Sequence, residues 1–310
     1  MKYNIQIKGL GVKTPSKIIT NKDIERITPG SKAEWIKDKL GIEQRHICTT
    51  ENVVTLGFGA SQQALQMANM FEDEIDLIVV NTSSPDKISP SVACMVQNQL
   101  GAKCPAFDIN AVCSGFIYSL DIISPLLGKY KNILLISTET YSKITDWKDK
   151  NSCFFGDGAA AVIISKGNFP NFISSIGADG NGWEHFNCDR GSTFEMNGKE
   201  VYKFGTNILP IQIKKLLDNN NLSSELIDWV IPHQPSHNVL KETAKKLGIP
   251  EEKFYFNMKR YGNTAGASVP MALYDGIKTN KIKNGDNLIL AAIGSGWTYG
   301  VGYLKLNLKQ

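Results

Sequence analysis

Short apolar runs alternate with longer mixed stretches along most of this chain. Runs such as IDLIVV (75–80) and NILLIS (132–137) are four to six residues long and rich in β-branched side chains. That length and composition read as buried strands rather than helices. In the first half the pattern predicts strands over 3–7, 77–81, 106–110, 133–137 and 160–165. It predicts helices over 55–71, 91–100 and 115–127. In the second half it predicts helices over 204–219 and 239–247. The strands there are a segment beginning near Phe172, then 229–232, 254–257, 288–293 and 302–308. This alternation predicts the α/β class.

The two halves also resemble each other in outline. Residues 53–82 read as a helix, a short loop containing an aspartate, and a strand ending at Asn81. Residues 204–233 give the same series, ending at His233. Such self-similarity points to an internal duplication at the level of elements. With no low-complexity stretch or linker, the boundary falls near 167–170. It divides an N-terminal half, 1–168, from a C-terminal half, 169–310.

Composition narrows the classes of function. The 310 residues suffice for one large domain or two closely packed halves, and 42% hydrophobic with 21% charged residues is ordinary for a globular chain. A formal net charge of +4 is too mild to imply nucleic acid, though clustered lysines would suit an acidic partner. The apolar runs are far too short to span a membrane. The opening MKYNIQIKGLGV lacks a signal-peptide core, so a cytoplasmic location is the expectation. The six cysteines (48, 94, 104, 113, 153, 188) form no CxxC pair and no zinc-ligand spacing. Free thiols are expected, five of them buried small hydrophobes. HxxC at His185 and Cys188 lacks two further ligands, so no metal site is expected.

Three polar residues carry candidate chemistry. Cys113 lies where the 106–110 strand gives way to an almost wholly apolar helix. Free N–H groups and the helix dipole at such a junction favour a thiolate. His233 follows a buried strand and Pro232, at the strand's C-terminal end, where α/β sheets usually present side chains to a ligand. Asn263, in RYGNTAGAS, precedes small residues that permit close backbone packing. Taken singly, each has a blander reading: a core cysteine, a satisfied structural histidine, a turn asparagine. Together, a thiol, an imidazole and a carboxamide form a set suited to covalent catalysis. GSGWTYG (294–300) follows the 288–293 strand, and this turn could aim backbone N–H groups at an oxyanion. It lies too near the chain end to open a nucleotide-binding βαβ unit. Asp157 reads as a structural residue holding a turn, and Phe116 and Tyr118 as helix packing.

With these residues in place, the chain resembles the β-ketoacyl-acyl carrier protein synthase III family of the thiolase superfamily. The resemblance covers nearly the whole length. It rests on AVCSGF, FGDGAAAV (155–162), DWVIPHQ, YGNTAGAS and GSGWTYG in the family's order and spacing, with EWIKDKLGIEQRH (34–46) similar to its N-terminal Trp-containing segment. The resemblance implies a five-layered α-β-α-β-α thiolase fold of two similar halves, a homodimer, and no metal or redox cofactor. It makes Cys113 the nucleophile that takes an acyl group from a thioester. His233 and Asn263 would then bind the thioester carbonyl of malonyl-acyl carrier protein, whose decarboxylation gives the attacking carbanion. The oxyanion hole would join the backbone N–H of Cys113 to that of Ser295, where the family usually has glycine.

The same resemblance assigns substrate contacts, with departures. Trp35 matches the residue that stacks on the adenine of coenzyme A. Lys39 and Lys150 stand where the family has arginines, and lysine lacks their planar fork. Weaker coenzyme A binding would follow, which leaves either coenzyme A or a carrier protein as the bearer of the acyl group. Lys203, Lys245 and Lys246 match basic residues that face the acidic acyl carrier protein, although Asn238 replaces a neighbouring family arginine. Ser89 and Ile293 replace bulky aromatics that close the acyl pocket, the former across the dimer interface. A longer or branched acyl chain would then fit, unless Met95 or Trp297 refills the space.

Three rival readings remain open. A Cys–His–Asn set in this chain order also occurs in papain-like proteases, but the Cys-Trp context is absent and the α/β alternation is wrong. A thiolase-fold acyltransferase or condensing enzyme of a specialised pathway could use a non-malonyl acceptor. A non-catalytic partner of an active synthase would not be expected to retain Cys113, His233 and Asn263 together.

Overall fold

The protein is described by a computed structural model covering residues 2–309. The chain opens with β1 (Ile5–Lys13) and β2 (Lys17–Thr20), then α1 (Asn21–Ile27), α2 (Ala33–Trp35) and β3 (Gln44–Ile47). The first half continues through α3 (Val53–Ala68), β4 (Leu77–Asn81), α4 (Val92–Leu100), β5 (Ala106–Ile109), α5 (Gly115–Ile123), β6 (Asn132–Glu139) and β7 (Gly158–Lys166). The second half runs β8 (Phe172–Ala178), β9 (Phe186–Asn187), β10 (Glu195–Met196), α6 (Gly198–Asn219), β11 (Trp229–Pro232), α7 (His237–Leu247), α8 (Met258–Tyr261), α9 (Ser268–Lys278), β12 (Asn287–Gly294) and β13 (Thr298–Lys305).

Two mixed sheets form the frame. One has the order β1-β7-β6-β4-β5 and the other β11-β12-β13-β8. The first draws its strands from residues 5–166 and the second from 172–305. Helices α5 and α9 contact strands of both sheets and form the layer between them. Their apolar faces, including Phe116, Ile117, Leu120, Val269 and Leu273, merge with the inner faces of both sheets in one buried core. Helix α3 covers the outer face of the first sheet and α6 that of the second. The result is the five-layered α-β-α-β-α thiolase fold. Strands β4 and β6 are buried along their whole length, as expected of strands covered on both faces.

The duplication is visible in detail. In the first half, the Asp76 carboxylate accepts the Asn132 N–H at 2.9 Å while the Asp76 N–H donates to the Asn132 carbonyl at 2.9 Å. In the second half Asp228 does the same with Asn287, at 2.7 and 2.9 Å. Each aspartate fixes the start of one strand against its parallel neighbour.

Several expectations need correction. The 254–257 segment is not a strand. It makes one bridge, Val230 to Phe254, and the Tyr255 N–H donates to the Val230 carbonyl. Beyond that, the Asn257 and Met258 N–H groups donate to the side-chain oxygen of buried Gln234, at 3.1 and 3.3 Å. A side chain takes the place of a neighbouring strand there. The strand expected over 302–308 is β13, which begins four residues earlier at Thr298 because it pairs antiparallel with β12 directly across the glycine-rich turn. Of the five cysteines expected to be buried, only Cys153 is; Cys48 and Cys104 are half-buried, and Cys94 and Cys188 are exposed.

Candidate active site

Cys113 occupies a tight turn, Val112–Ser114, between β5 and α5. Val112 has φ +50°, a left-handed conformation that costs a β-branched residue about 1–3 kcal/mol. The surroundings hold it there. The Val112 N–H donates to Asn110 Oδ1 at 3.2 Å. Ser114 Oγ and Thr298 Oγ1 lie 2.7 Å apart, and reach the Ala111 carbonyl at 2.8 and 3.1 Å. Thr298 thereby stitches the Cys113 turn to the 295–297 turn. Gly294 lies so close that an added Cβ would sit 3.0 Å from the Cys113 nitrogen.

The Cys113 side chain is buried, and burial pushes its thiol up, as does the nearby carboxylate of Glu139; only a backbone N–H opposes them. The helix start favours a thiolate, as the sequence suggested, but at rest desolvation outweighs it. Burial thus favours the thiol form of Cys113.

His233 follows β11, with its N–H donated to the Ala291 carbonyl at 2.8 Å. The ring is buried, and the Ile293 N–H donates to its Nδ1 at 3.4 Å. Nδ1 is therefore the acceptor, and a neutral ring carries its proton on Nε2. Burial lowers the pKa to about 3. His233 thus contributes stability that is present above its unfolded value of about 6.5 and is lost as pH falls toward 3. The ring is expected to remain neutral from about pH 8 to about pH 5. Imidazole NMR against pH checks this; a His233 midpoint near the ordinary histidine value of 6.5 would contradict it.

Asn263 is fixed by its backbone to the 154–156 segment: its N–H donates to the Phe154 carbonyl at 2.9 Å and its carbonyl accepts the Gly156 N–H at 3.0 Å. Its Oδ1 accepts the Ala265 N–H at 2.9 Å and Ser268 Oγ at 3.3 Å. With the oxygen occupied, the amide NH2 is the group left for a ligand. Asp157, in FGDGAAAV (155–162), accepts the Cys48 and Ser142 N–H groups at 2.7 and 2.8 Å. That is the turn-holding role expected of it.

One cavity of about 990 Å³ brings the three together, with Cys113, His233 and Asn263 on its wall. Ile293, Gly294, Ser295 and Trp297 line it as well. Trp35, Lys39 and Lys150 line it too, all three exposed. Lys32 and Lys199, which no motif marked, add to the positive lining. Of the two bulky neighbours considered for the acyl end, Trp297 borders the cavity and stacks on Phe204 at 4.5 Å. Met95 lies in a separate shallow hollow beside Pro90 and Cys94.

Other expected residues lie apart. Ser89 is exposed and does not line the chain's own cavity. Lys245 borders an open hollow next to the cavity, sharing Tyr202 and Asn238 with it. Lys246 is engaged with α6, donating to the Thr206 carbonyl at 3.0 Å, and Lys203 is exposed beside Glu200 at 3.5 Å. His185 sits 6.1 Å, ring to ring, from Trp297, and Cys188 faces the carbonyls of Asp189 and Ser192.

A buried thiol, a neutral Nε2–H imidazole and a carboxamide NH2 around one cavity, in this fold, define a condensing enzyme of the thiolase class. Comparison with known proteins gives the family. Residues 107–180 match the model of 3-oxoacyl-[acyl-carrier-protein] synthase III, and residues 217–306 match the model of its C-terminal part. The beta-ketoacyl-[acyl-carrier-protein] synthase III of Clostridium acetobutylicum is 40% identical, covering 97% of this chain and 98% of its own. That of Aquifex aeolicus is 39% identical over 97% and 99%. The crystal structure of the Aquifex aeolicus enzyme superimposes with a TM-score of 0.94, at 38% identity over 97% of this chain and 99% of that one. The priming beta-ketosynthase of the R1128 polyketide pathway superimposes with a TM-score of 0.93 at 26% identity, over 99% of this chain and 97% of that one. The chain belongs to the β-ketoacyl-[acyl-carrier-protein] synthase III family, and is an acyl-transferring condensing enzyme of fatty-acid biosynthesis.

Proposed function

We propose that Cys113 carries the acyl group, and that His233 and Asn263 bind the thioester carbonyl of a malonyl unit on acyl carrier protein. The observation that carries this reading is the pair of free donors beside the buried thiol: Nε2–H, because Nδ1 is occupied, and the amide NH2, because Oδ1 is occupied. Acyl transfer to sulfur releases the carrier thiol. Loss of carbon dioxide from the malonyl unit leaves an enolate, and two fixed neutral donors stabilise its oxygen without themselves changing charge. The carbanion then attacks the acyl carbon while the N–H groups of Cys113 and Ser295 receive the developing oxyanion, and collapse of that intermediate breaks the bond to sulfur, expelling the Cys113 thiolate and leaving the β-ketoacyl chain on the carrier. No step requires a metal or redox cofactor; the substrates are thioesters. Product mass tests the acceptor: decarboxylative condensation loses carbon dioxide, whereas simple acyl transfer to oxygen or nitrogen does not.

The lysines at the cavity mouth support a phosphate-bearing carrier arm. Trp35, half exposed at the rim, offers a face for the adenine of coenzyme A, with Lys39 and Lys150 nearby. Lys203, Lys245 and Lys246 form the docking surface for acyl carrier protein, and steering is the main effect of such charges. Replacing Lys245 with glutamate is expected to raise KM for carrier-bound malonyl by about tenfold, with little change in kcat. An unchanged KM in steady-state kinetics at low salt would count against docking there.

A homodimer fits the exposed edge of the first sheet. Among the described residues strand β5 has no partner on one side, with Phe107 38% exposed on it and Ile88 71% exposed on the nearby loop. A second copy pairing at that edge would cover both. It would also bring Ser89 toward the partner's acyl pocket, where small walls at Ser89 and Ile293 suit longer or branched chains. The division of the chain into halves at 1–168 and 169–310, and the cytoplasm as its location, belong to the same reading. No helix among the described residues is long and apolar enough to cross a membrane.

A further inference from the structure

Beneath the cavity lies a carboxylate with no cation to balance it. Glu139 ends β6, is fully buried, and makes no salt bridge among the described residues. A charge in that position is costly to keep unless hydrogen bonds replace its water. Here the replacement comes from the loop after β4. The Ser83 N–H donates to Oε2 and Oε1 at 3.1 and 3.2 Å, Ser83 Oγ donates to Oε1 at 3.0 Å, and Ser84 Oγ donates to Oε2 at 2.6 Å.

The carboxylate also faces the two turns that carry active-site groups. A Cβ added at Gly266 would fall 3.0 Å from Glu139 Oε1 and 3.0 Å from the Val112 carbonyl. The Asn263 turn and the Cys113 turn therefore meet at this point, and the Gly266 N–H lies close enough to favour the anion. A second route runs through Ser83, whose Oγ is 3.1 Å from the Tyr141 hydroxyl. The Tyr141 ring stacks on Phe155 at 4.6 Å, and Phe155 bridges Asn263 through the backbone. The Cys113 turn and the Asn263 turn both touch this network, the first at the Val112 carbonyl and the second at Gly266 and Phe155.

We propose that Glu139 is a positioning residue for the condensation step: through Ser83, Ser84 and the 264–267 turn, its carboxylate sets where the Asn263 amide stands relative to Cys113. The proposal rests on the reading of Cys113 and Asn263 given above. Burial pushes the Glu139 carboxyl up to about 7, and its charge raises the Cys113 thiol. Cys113 and Tyr141 are the titratable groups coupled to it across the site. The carboxylate thus opposes thiolate formation, so any contribution it makes to turnover comes from geometry rather than from activating sulfur.

That opposition gives a test. Acylation of Cys113 is followed by intact mass, condensation is followed on enzyme already acylated, and the alkylation rate of Cys113 by iodoacetamide is measured against pH. In Glu139→Gln, condensation on acylated enzyme is expected to fall tenfold or more, while the alkylation profile moves to lower pH. Misplacement of a reacting group by about 1 Å is enough for a loss of that size. Glu139→Asp is expected to recover part of the loss. Condensation within twofold of the native rate, or acylation and condensation falling by one common factor, would overturn the proposal. Ser84→Ala, which keeps the carboxylate but removes its shortest bond, applies the same comparison if Glu139→Gln does not fold: a selective loss of condensation supports the proposal, and a rate within twofold of native overturns it. Failure of native enzyme to acylate at Cys113 would instead overturn the underlying assignment.

Discussion

Replacing Cys113 with alanine is expected to abolish the acyl-enzyme and to lower condensation by about 10⁴-fold or more. The substitution removes one sulfur from a site that already has a cavity beside it, so the fold should survive nearly intact. The turn is held by Asn110, Ser114 and Thr298, none of which bonds the Cys113 side chain. Circular dichroism and thermal melting should therefore match the native protein while intact mass shows no acyl adduct from any thioester. Retention of an adduct in Cys113→Ala would move the nucleophile elsewhere, and no other buried thiol but Cys153 borders the cavity among the described residues.

Replacing Asn263 or His233 with alanine is expected to separate the two halves of the reaction. Under the proposed roles acylation uses Cys113 and the backbone N–H groups, and should proceed within about tenfold of the native rate. Condensation loses one of two fixed donors to the enolate oxygen, a change worth about 10²–10³ in rate at comparable sites. His233→Ala also leaves the Ile293 N–H without its acceptor, so a modest loss of stability should accompany it. Asn263→Ala removes the acceptor for the Ala265 N–H and Ser268 Oγ, and Ala265 already stands at φ +45°. Some loosening of that turn is expected in addition to the lost donor. Asn263→Asp discriminates the two effects: it retains the acceptor that holds the turn but offers an oxygen where a donor is needed. It should melt near the native temperature and condense poorly. Single-turnover kinetics on acylated enzyme check both variants, and equal slowing of acylation and condensation would contradict the assigned roles.

The legible parts of this protein are those where one physical demand dominates. Strands β4 and β6 are covered on both faces, so LIVVN and NILLISTE contain little that must meet water. The hairpin of β2 and β3 escapes the same reading because KIIT and QRHI are short and mostly polar, and β2 keeps only one residue buried. Residues 254–257 mislead in the opposite way. FYFN has strand composition, but the Phe254 N–H turns back to the Glu251 carbonyl and the Asn257 N–H is claimed at 3.1 Å by a glutamine side chain more than twenty residues away in sequence.

The site divides along similar lines. Cys113, His233 and Asn263 are legible because each sits in a motif whose glycines, prolines and small residues reveal a constrained backbone. Trp35, Lys39 and Lys150 are legible only through resemblance, since an exposed tryptophan and two surface lysines have no local signature. Glu139 gives almost no signal. It closes an apolar strand, its partners are serines, and those serines lie 55 and 56 residues earlier. A charge at the end of a wholly buried strand is the one mark that could have drawn attention to it.

Cys113 is proposed to carry an acyl group that is then condensed with loss of carbon dioxide. A pulse and chase followed by intact mass tests it most directly. Native protein is incubated with short, medium and branched acyl thioesters on coenzyme A and on carrier protein, freed of donor, and then given malonyl-acyl carrier protein. The predicted result is a single acyl adduct mapped to the Cys113 peptide, which disappears in the chase as a β-ketoacyl product and carbon dioxide form together. An adduct that persists through the chase, or no adduct with any donor on folded protein, would contradict it.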